Sequence, residues 1–138
     1  MKQPEGMRYV RPESLTRPIG YNHGVVLPAT GNVLFLSGQT GADREGRIQS
    51  SRFVDQFDAA LANLLTVVAE AGGNPESIGK LTLFVTDKAA YEADRRAMGE
   101  VYRARMGQHY PAMTLVEVKS LLDPRAPVEI EGIAIVPS

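Results

Sequence analysis

The closing apolar stretch of the chain, Val-Glu-Ile-Glu-Gly-Ile-Ala-Ile-Val at 128–136, carries two carboxylates where a buried strand would carry none. Glu129 and Glu131 are two residues apart, so in a strand they project to one side, followed on that side by Ile133 and Ile135. A carboxylate in apolar surroundings is costly unless it is paired, hydrated or at an open strand end. A carboxyl group held in such a place is a candidate general acid or base, because desolvation favours its neutral form. The pattern alone favours a solvated strand end, or pairing with Arg47, Arg125 or a lysine.

Two other places offer polar groups among glycines. Tyr21 and His23 stand in Ile-Gly-Tyr-Asn-His-Gly, where Gly20 and Gly24 permit close backbone approach; either side chain can line a pocket or simply pack in a turn. Ser37 closes an apolar run at Ser-Gly-Gln, a turn able to present a hydroxyl and free amides to a ligand. The Gly-x-Ser-x-Gly elbow of serine hydrolases is absent, because Phe35 and Gln39 occupy the glycine positions. Gly-Gly-Asn-Pro-Glu-Ser-Ile-Gly-Lys at 72–80 is not a phosphate-binding loop, since Leu81 follows the lysine. Cysteine is lacking altogether, which removes thiolate catalysis, zinc–thiolate sites and disulfides. The two histidines, His23 and His109, are too few for a histidine-only metal site. No cofactor or metal is expected.

The elements that must position these residues follow from periodicity. Residues 24–27 and 33–37 read as two strands around Pro-Ala-Thr-Gly-Asn, a hairpin with a longer loop, and Arg47-Ile48 as the start of a short third strand. Residues 51–71 read as a helix with Phe57, Leu61, Leu64, Leu65 and Val68 on one stripe, ended by Gly72-Gly73 and Pro75. A strand at 78–85 follows. Asp87 suits the N-cap of a second helix over 89–106, in which Tyr91, Met98, Val101, Tyr102 and Arg105 mark one side and Gly107 ends the run. Strands at 113–118 and 128–136 complete a β-β-(β)-α-β-α-β-β order, an α+β layer of five to six strands with two helices on one face. Residues 1–18, broken by Pro4, Pro12 and Pro18, read as an extended segment of a single 1–138 domain.

The strands carry apolar residues on both alternating faces, and two helices can cover only one. The uncovered face is a patch that soluble monomers rarely expose, so further copies of the chain are the simplest cover. A net charge of −1 gives no basic excess to hold nucleic acid. No apolar run reaches the roughly 18 residues of a membrane span, and no apolar leader opens the chain. The expected compartment is the cytoplasm.

In order and spacing, Gly20-Tyr21, Leu-Ser-Gly-Gln-Thr-Gly at 36–41, Ala-Gly-Gly at 71–73, Leu-Phe-Val-Thr-Asp at 83–87, Tyr-Pro-Ala-Met-Thr-Leu-Val-Glu-Val at 110–118 and the 128–136 stretch resemble the RidA/YjgF family. Its members are also called endoribonuclease L-PSP proteins. The resemblance runs from about Gly20 to Val136. It implies a chorismate mutase-like fold, a homotrimer with ligand clefts between subunits, and cofactor-independent hydrolysis of enamines and imines to keto acids and ammonia. It also implies that Glu129 matches the family's water-positioning carboxylate, Tyr21 its pocket tyrosine and Ser37 the serine of its Ser-Gly-Gln.

At one place the chain departs from the family pattern. Family deaminases carry Pro-Ala-Arg where this sequence reads Pro111-Ala112-Met113, and their arginine grips the substrate carboxylate. Methionine has no donor for that task. Leu115 stands where the deaminase subgroup often has cysteine. The resemblance therefore points to an imine or enamine deaminase whose substrate is held otherwise, with Met113 and Leu115 lining the cleft and Arg17 or Arg125 as conceivable replacements. The alternatives are a non-catalytic member binding a small metabolite or a protein, and, with the least support, an endoribonuclease.

Overall fold

The computed structural model describes residues 3–138. In chain order the elements are strands β1 (Arg8–Val10), β2 (Gly24–Val26) and β3 (Asn32–Gln39), helix α1 (Phe53–Glu70), a 3-10 turn (Pro75–Ser77), strand β4 (Ile78–Val85), helices α2 (Lys88–Ala93) and α3 (Arg95–Met106), and strands β5 (Ala112–Glu117) and β6 (Val128–Val136). The fold is α+β. The main sheet has the order β3-β6-β4-β5, and β1 and β2 form a separate two-stranded ribbon. Strand β6 runs antiparallel to both neighbours, whereas β4 and β5 are parallel. The α2–α3 segment is the crossover that a parallel pair requires.

The core lies between the helices and one sheet face. Along β6, Val128, Ile130, Gly132, Ala134 and Val136 are buried, and the alternate residues turn away. Leu81, Leu83 and Val85 of β4 face the same way. They meet Phe57, Leu61, Leu64 and Val68 of α1 and Met98, Tyr102 and Met106 of α3. These helical residues recur at three- and four-residue steps, which is why one stripe of each helix is buried. On the opposite face Val33, Val116 and Ile133 are exposed, and Phe35 is 76% exposed.

Three local expectations are corrected. The 24–27 and 33–37 strands do not form a hairpin: β2 pairs with β1, and β3 pairs with β6. Pro28 follows β2 directly and cannot donate to a ladder. Gly31 then packs so tightly on the end of β6 that a Cβ there would lie 2.0 Å from the Val136 carbonyl oxygen. Only glycine lets β3 begin in register with β6. Arg47-Ile48 is no strand, because Asp43 folds the loop back. Its backbone N–H donates to the Arg47 carbonyl, and its carboxylate accepts from the Arg47 N–H. The second helix is two helices, broken at Asp94, whose carboxylate caps α3 by accepting from the Ala97 N–H. An aspartate that can satisfy a free helix N–H competes with helix continuation.

Buried polar groups fasten the N-terminal part to this framework. Nε2 of His109 donates to the Ile78 carbonyl at 2.7 Å, so Nδ1 is free to accept from the Tyr9 hydroxyl at 2.7 Å. Glu76 Oε2 lies 3.8 Å from that Nδ1 and has no hydrogen-bond partner among the described residues. Burial, and then the Glu76 charge, push the Tyr9 hydroxyl above its usual pKa. Buried Asn22 donates from its backbone to the Pro111 carbonyl and from its side chain to the Tyr110 carbonyl, and accepts from Arg11.

Candidate functional site

Two places in the fold carry the residues singled out above. The first is the β3–β6 border on the open face. Leu36 pairs with Gly132 and Gln39 with Ile130, so three steps along β3 match two along β6. This is a bulge at Ser37-Gly38, and bulges re-aim the groups beside them. It brings Gly38 directly over Glu129: a Cβ at residue 38 would lie 2.2 Å from Glu129 Oε1. On its other side Glu129 is in register with Phe84 of β4. Gly38, Phe84, Ser120, Leu122, Glu129 and Glu131 line one shallow groove. Glu129 is half-buried there and Glu131 is exposed. Ser37 is exposed beside Gly38 on the bulge.

Both arginines that the sequence offered to neutralise these glutamates, and Lys80, have other partners. Arg47 pairs with Asp43 and Glu45. Lys80 donates to the Thr114 hydroxyl at 2.7 Å. Arg125 grips both oxygens of Asp123 and donates to the Gly46 carbonyl. Hydrogen bonds from Arg125 hold the Asp123 carboxyl down at about 2. Among the described residues Glu129 has neither an ion pair nor a side-chain hydrogen bond, so its oxygens are available to water or a ligand.

The second place is the β5 edge. Met113 is in register with Leu81, and Leu115 with Leu83, so both turn toward the helices. Val116 is in the same row as Phe84 and Glu129. Two strand spacings, about 10 Å, therefore separate β5 from β6, and Met113 and Leu115 lie on the face away from Glu129. Asn22 forms a parallel bridge with Ala112, which sets Tyr21 beside the start of β5. The Tyr21 ring meets His23 edge-on at 5.5 Å, and His23 Nε2 donates to the Thr16 carbonyl at 2.6 Å. Arg17 is exposed on the segment before Gly20. Met113 lines a cleft of about 300 Å³ between α3 and the sheet, together with Leu83, Ile130, Tyr91, Tyr110 and Gly20.

The chain thus gathers Ser37, Gly38 and Glu129 at one border, and Tyr21, Met113 and Leu115 at the other edge. A single copy does not bring all five selected residues to one ligand. The part played by Gly38 is legible in sequence only as a Ser-Gly turn, because its closeness to Glu129 depends on pairing two strands some ninety residues apart. Among the described residues no three side chains gather to hold a metal ion. None of the described helices is long and apolar enough to cross a membrane.

The chain is similar in sequence and fold to known proteins. The sequence profile of the family described as Endoribonuclease L-PSP matches residues 12–136. A RutC family protein of Pyrococcus horikoshii is 33% identical over 124 residues, covering 88% of this chain and 92% of that protein. The mitochondrial protein mmf2 of Schizosaccharomyces pombe is 32% identical over 116 residues, covering 83% and 86%. Among solved structures, the Rid family protein YyfB of Yersinia pestis, described as of unknown function, superposes with a TM-score of 0.82 at 25% identity over 94% of this chain and 98% of its own. RidA from an Antarctic Psychrobacter superposes with a TM-score of 0.65 at 27% identity, over 94% and 99%.

Proposed function

Because the chain belongs to the endoribonuclease L-PSP family, the RidA/YjgF group, we propose that it is a cofactor-independent hydrolase of imines or enamines, with Glu129 positioning the attacking water. The observation that carries this reading is the half-buried Glu129 carboxylate, roofed by Gly38, flanked by Phe84 and left without an ion pair among the described residues. An iminium carbon is already electrophilic. Water adds to it as Glu129 takes one of its protons, Glu129 passes that proton to nitrogen, and the carbinolamine then expels ammonia as its hydroxyl proton goes to the Glu129 carboxylate, leaving a carbonyl compound. Glu131, on the same face, adds negative charge where the substrate nitrogen is positive.

In this proposal the chain works as a homotrimer in the cytoplasm. The exposed apolar face of Val33, Phe35 and Ile133 supports assembly. A neighbouring copy would bring its β5 edge, with Tyr21, Met113 and Leu115, to the Glu129 groove. Met113 offers no anchor for a carboxylate, and Arg125 is committed to Asp123 and Gly46. Hydrolysis of 2-aminoacrylate is therefore expected to be slow, and Met113→Arg to speed it.

The test couples a pyridoxal-phosphate dehydratase to pyruvate release and compares wild type, Met113→Arg and Glu129→Ala. It is repeated with larger imines made by an amino-acid oxidase. Acceleration lost in Glu129→Ala supports the proposal. Inertness of all variants toward every imine refutes it and favours the non-catalytic binding member. A net charge of −1 gives the endoribonuclease reading no overall basic excess to draw on.

A further inference from the structure

His109, Glu76 and Tyr9 take no part in the proposed hydrolysis, yet the fold brings these three titratable groups together. His109 is 1% exposed and Glu76 7%. They come from different places in the chain: Tyr9 from β1, Glu76 from the 3-10 turn before β4, and His109 from the turn after α3. The His109 Nε2 hydrogen is spent on the Ile78 carbonyl, so in the neutral ring Nδ1 carries a lone pair, and the Tyr9 hydroxyl donates to it. Glu76 Oε2 stands 3.8 Å from the same Nδ1 and has no donor among the described residues. A carboxylate cannot bond to a lone pair. The arrangement therefore satisfies Tyr9 and leaves Glu76 short of one proton.

The other titratable and charged groups packed around the cluster are committed. Tyr102 of α3 donates its hydroxyl to the His109 carbonyl and stacks on Tyr110. Arg11 lies over the Tyr9 ring, 5.3 Å from its centre, and donates to Asn22. A buried carboxylate without a partner is costly, and a cation formed beside it relieves that cost. An imidazolium has an N–H on both ring nitrogens, so the Ile78 carbonyl keeps its bond while Nδ1 becomes a donor to Glu76. The same proton removes the lone pair that holds Tyr9. As a neutral acceptor the Tyr9 oxygen competes poorly with a carboxylate for that N–H.

We infer that His109, Glu76 and Tyr9 form a buried proton-binding latch, closed on β1 while His109 is neutral and released when Nδ1 is protonated and pairs with Glu76. Strand β1 depends on the latch. It has three residues, and its ribbon with β2 is separate from the main sheet. A two-stranded ribbon is marginal by itself. Among the described residues the Tyr9 bond is the one side-chain hydrogen bond that β1 makes. The latch stands apart from imine hydrolysis, and its test reads no activity.

Imidazole nitrogen NMR and amide hydrogen exchange are followed on the intact protein from about pH 8 to about pH 5, the range in which imidazoles change charge. Exchange is corrected for its intrinsic pH dependence, and His23→Gln separates the two histidine signals. Expected are a neutral His109 with its proton on Nε2 at the upper end and a doubly protonated ring at the lower end. In step with that change, exchange at 8–10 should quicken about fivefold or more while β4 and β6 stay protected. Glu76→Gln is expected to need about tenfold more acid for the same conversion. Tyr9→Phe should exchange quickly at 8–10 at both ends of the range. A His109 that stays neutral down to about pH 5, β1 protection that is the same at both ends, loss of protection in β1, β4 and β6 together, or a Glu76→Gln protein with the wild-type pH dependence would each overturn the latch.

Discussion

Replacing Gly38 by alanine adds one methyl group at the point where β3 bulges over Glu129. The new Cβ would stand 2.2 Å from Oε1, 2.8 Å from Cδ and 2.9 Å from Cγ of Glu129. Ordinary van der Waals contact begins near 3.5 Å, so the carboxylate oxygen must retreat by roughly 1.3 Å. Because three successive side-chain atoms are crowded, the whole side chain must swing and not merely the terminal oxygen. A misplacement of about 1 Å at a reacting group costs on the order of 100-fold in rate, or about 2.7 kcal/mol of transition-state stabilisation. The fold itself should tolerate the change. Gly38 is not among the glycines with positive φ, and alanine at such a position lowers unfolded-state entropy by about 0.4–1 kcal/mol, offsetting the displacement. The expected outcome is a kcat/KM for imine hydrolysis near one hundredth of wild type, with a denaturation midpoint close to wild type. The assay follows keto acid release from an imine made in situ by an amino-acid oxidase, beside a urea melt of the same sample. Wild-type kcat/KM in Gly38→Ala would show that the present place of Glu129 has no bearing on the rate.

Other expectations follow from the polar contacts. Tyr9→Phe removes the donor to buried His109 Nδ1 and should lower stability by about 1–2 kcal/mol, read as a lower urea midpoint at unchanged slope. Asp123 is held at about 2 by Arg125, below its ordinary 3.8. A depressed carboxyl stabilises the fold above its unfolded pKa and loses that contribution as pH falls. The tether from Arg125 to Asp123 and Gly46 should therefore loosen between about pH 4 and pH 2, seen as faster proteolysis of the 121–127 loop by an acid protease. In Arg125→Gln the Asp123 carboxyl should titrate near its ordinary value in an NMR pH series. Phe35→Asp puts a charge on the open apolar face; light scattering should show three times the 15.0 kDa chain mass for wild type and a smaller species for the variant. A wild-type monomer at micromolar concentration would remove the inter-subunit cleft.

Local periodicity was sufficient to read the α+β class, the α1 stripe, the limits of β4 and β6, and the glutamate pair that shares one strand face. Each of these depends on residues close in sequence. Glu129 and Glu131 must share a side wherever the strand lies, because side chains alternate with period two. Partnership was decided elsewhere. Nothing local tells β3 to leave β2 for β6, since the choice depends on Gly31 meeting the end of a strand formed a hundred residues later. The Asp94 break depended on a capping competition with no clear periodic signal. His109 shows nothing of its burial until Tyr9 and Ile78 arrive from distant parts of the sequence. The separation of Met113 from Glu129 is likewise tertiary. Their motifs are neighbours in the sequence pattern, yet strand register turns Met113 toward α3 and Glu129 toward the open face. Sequence alone determines which side chains share a strand face; only the pairing of distant strands decides which of those faces look into the same space.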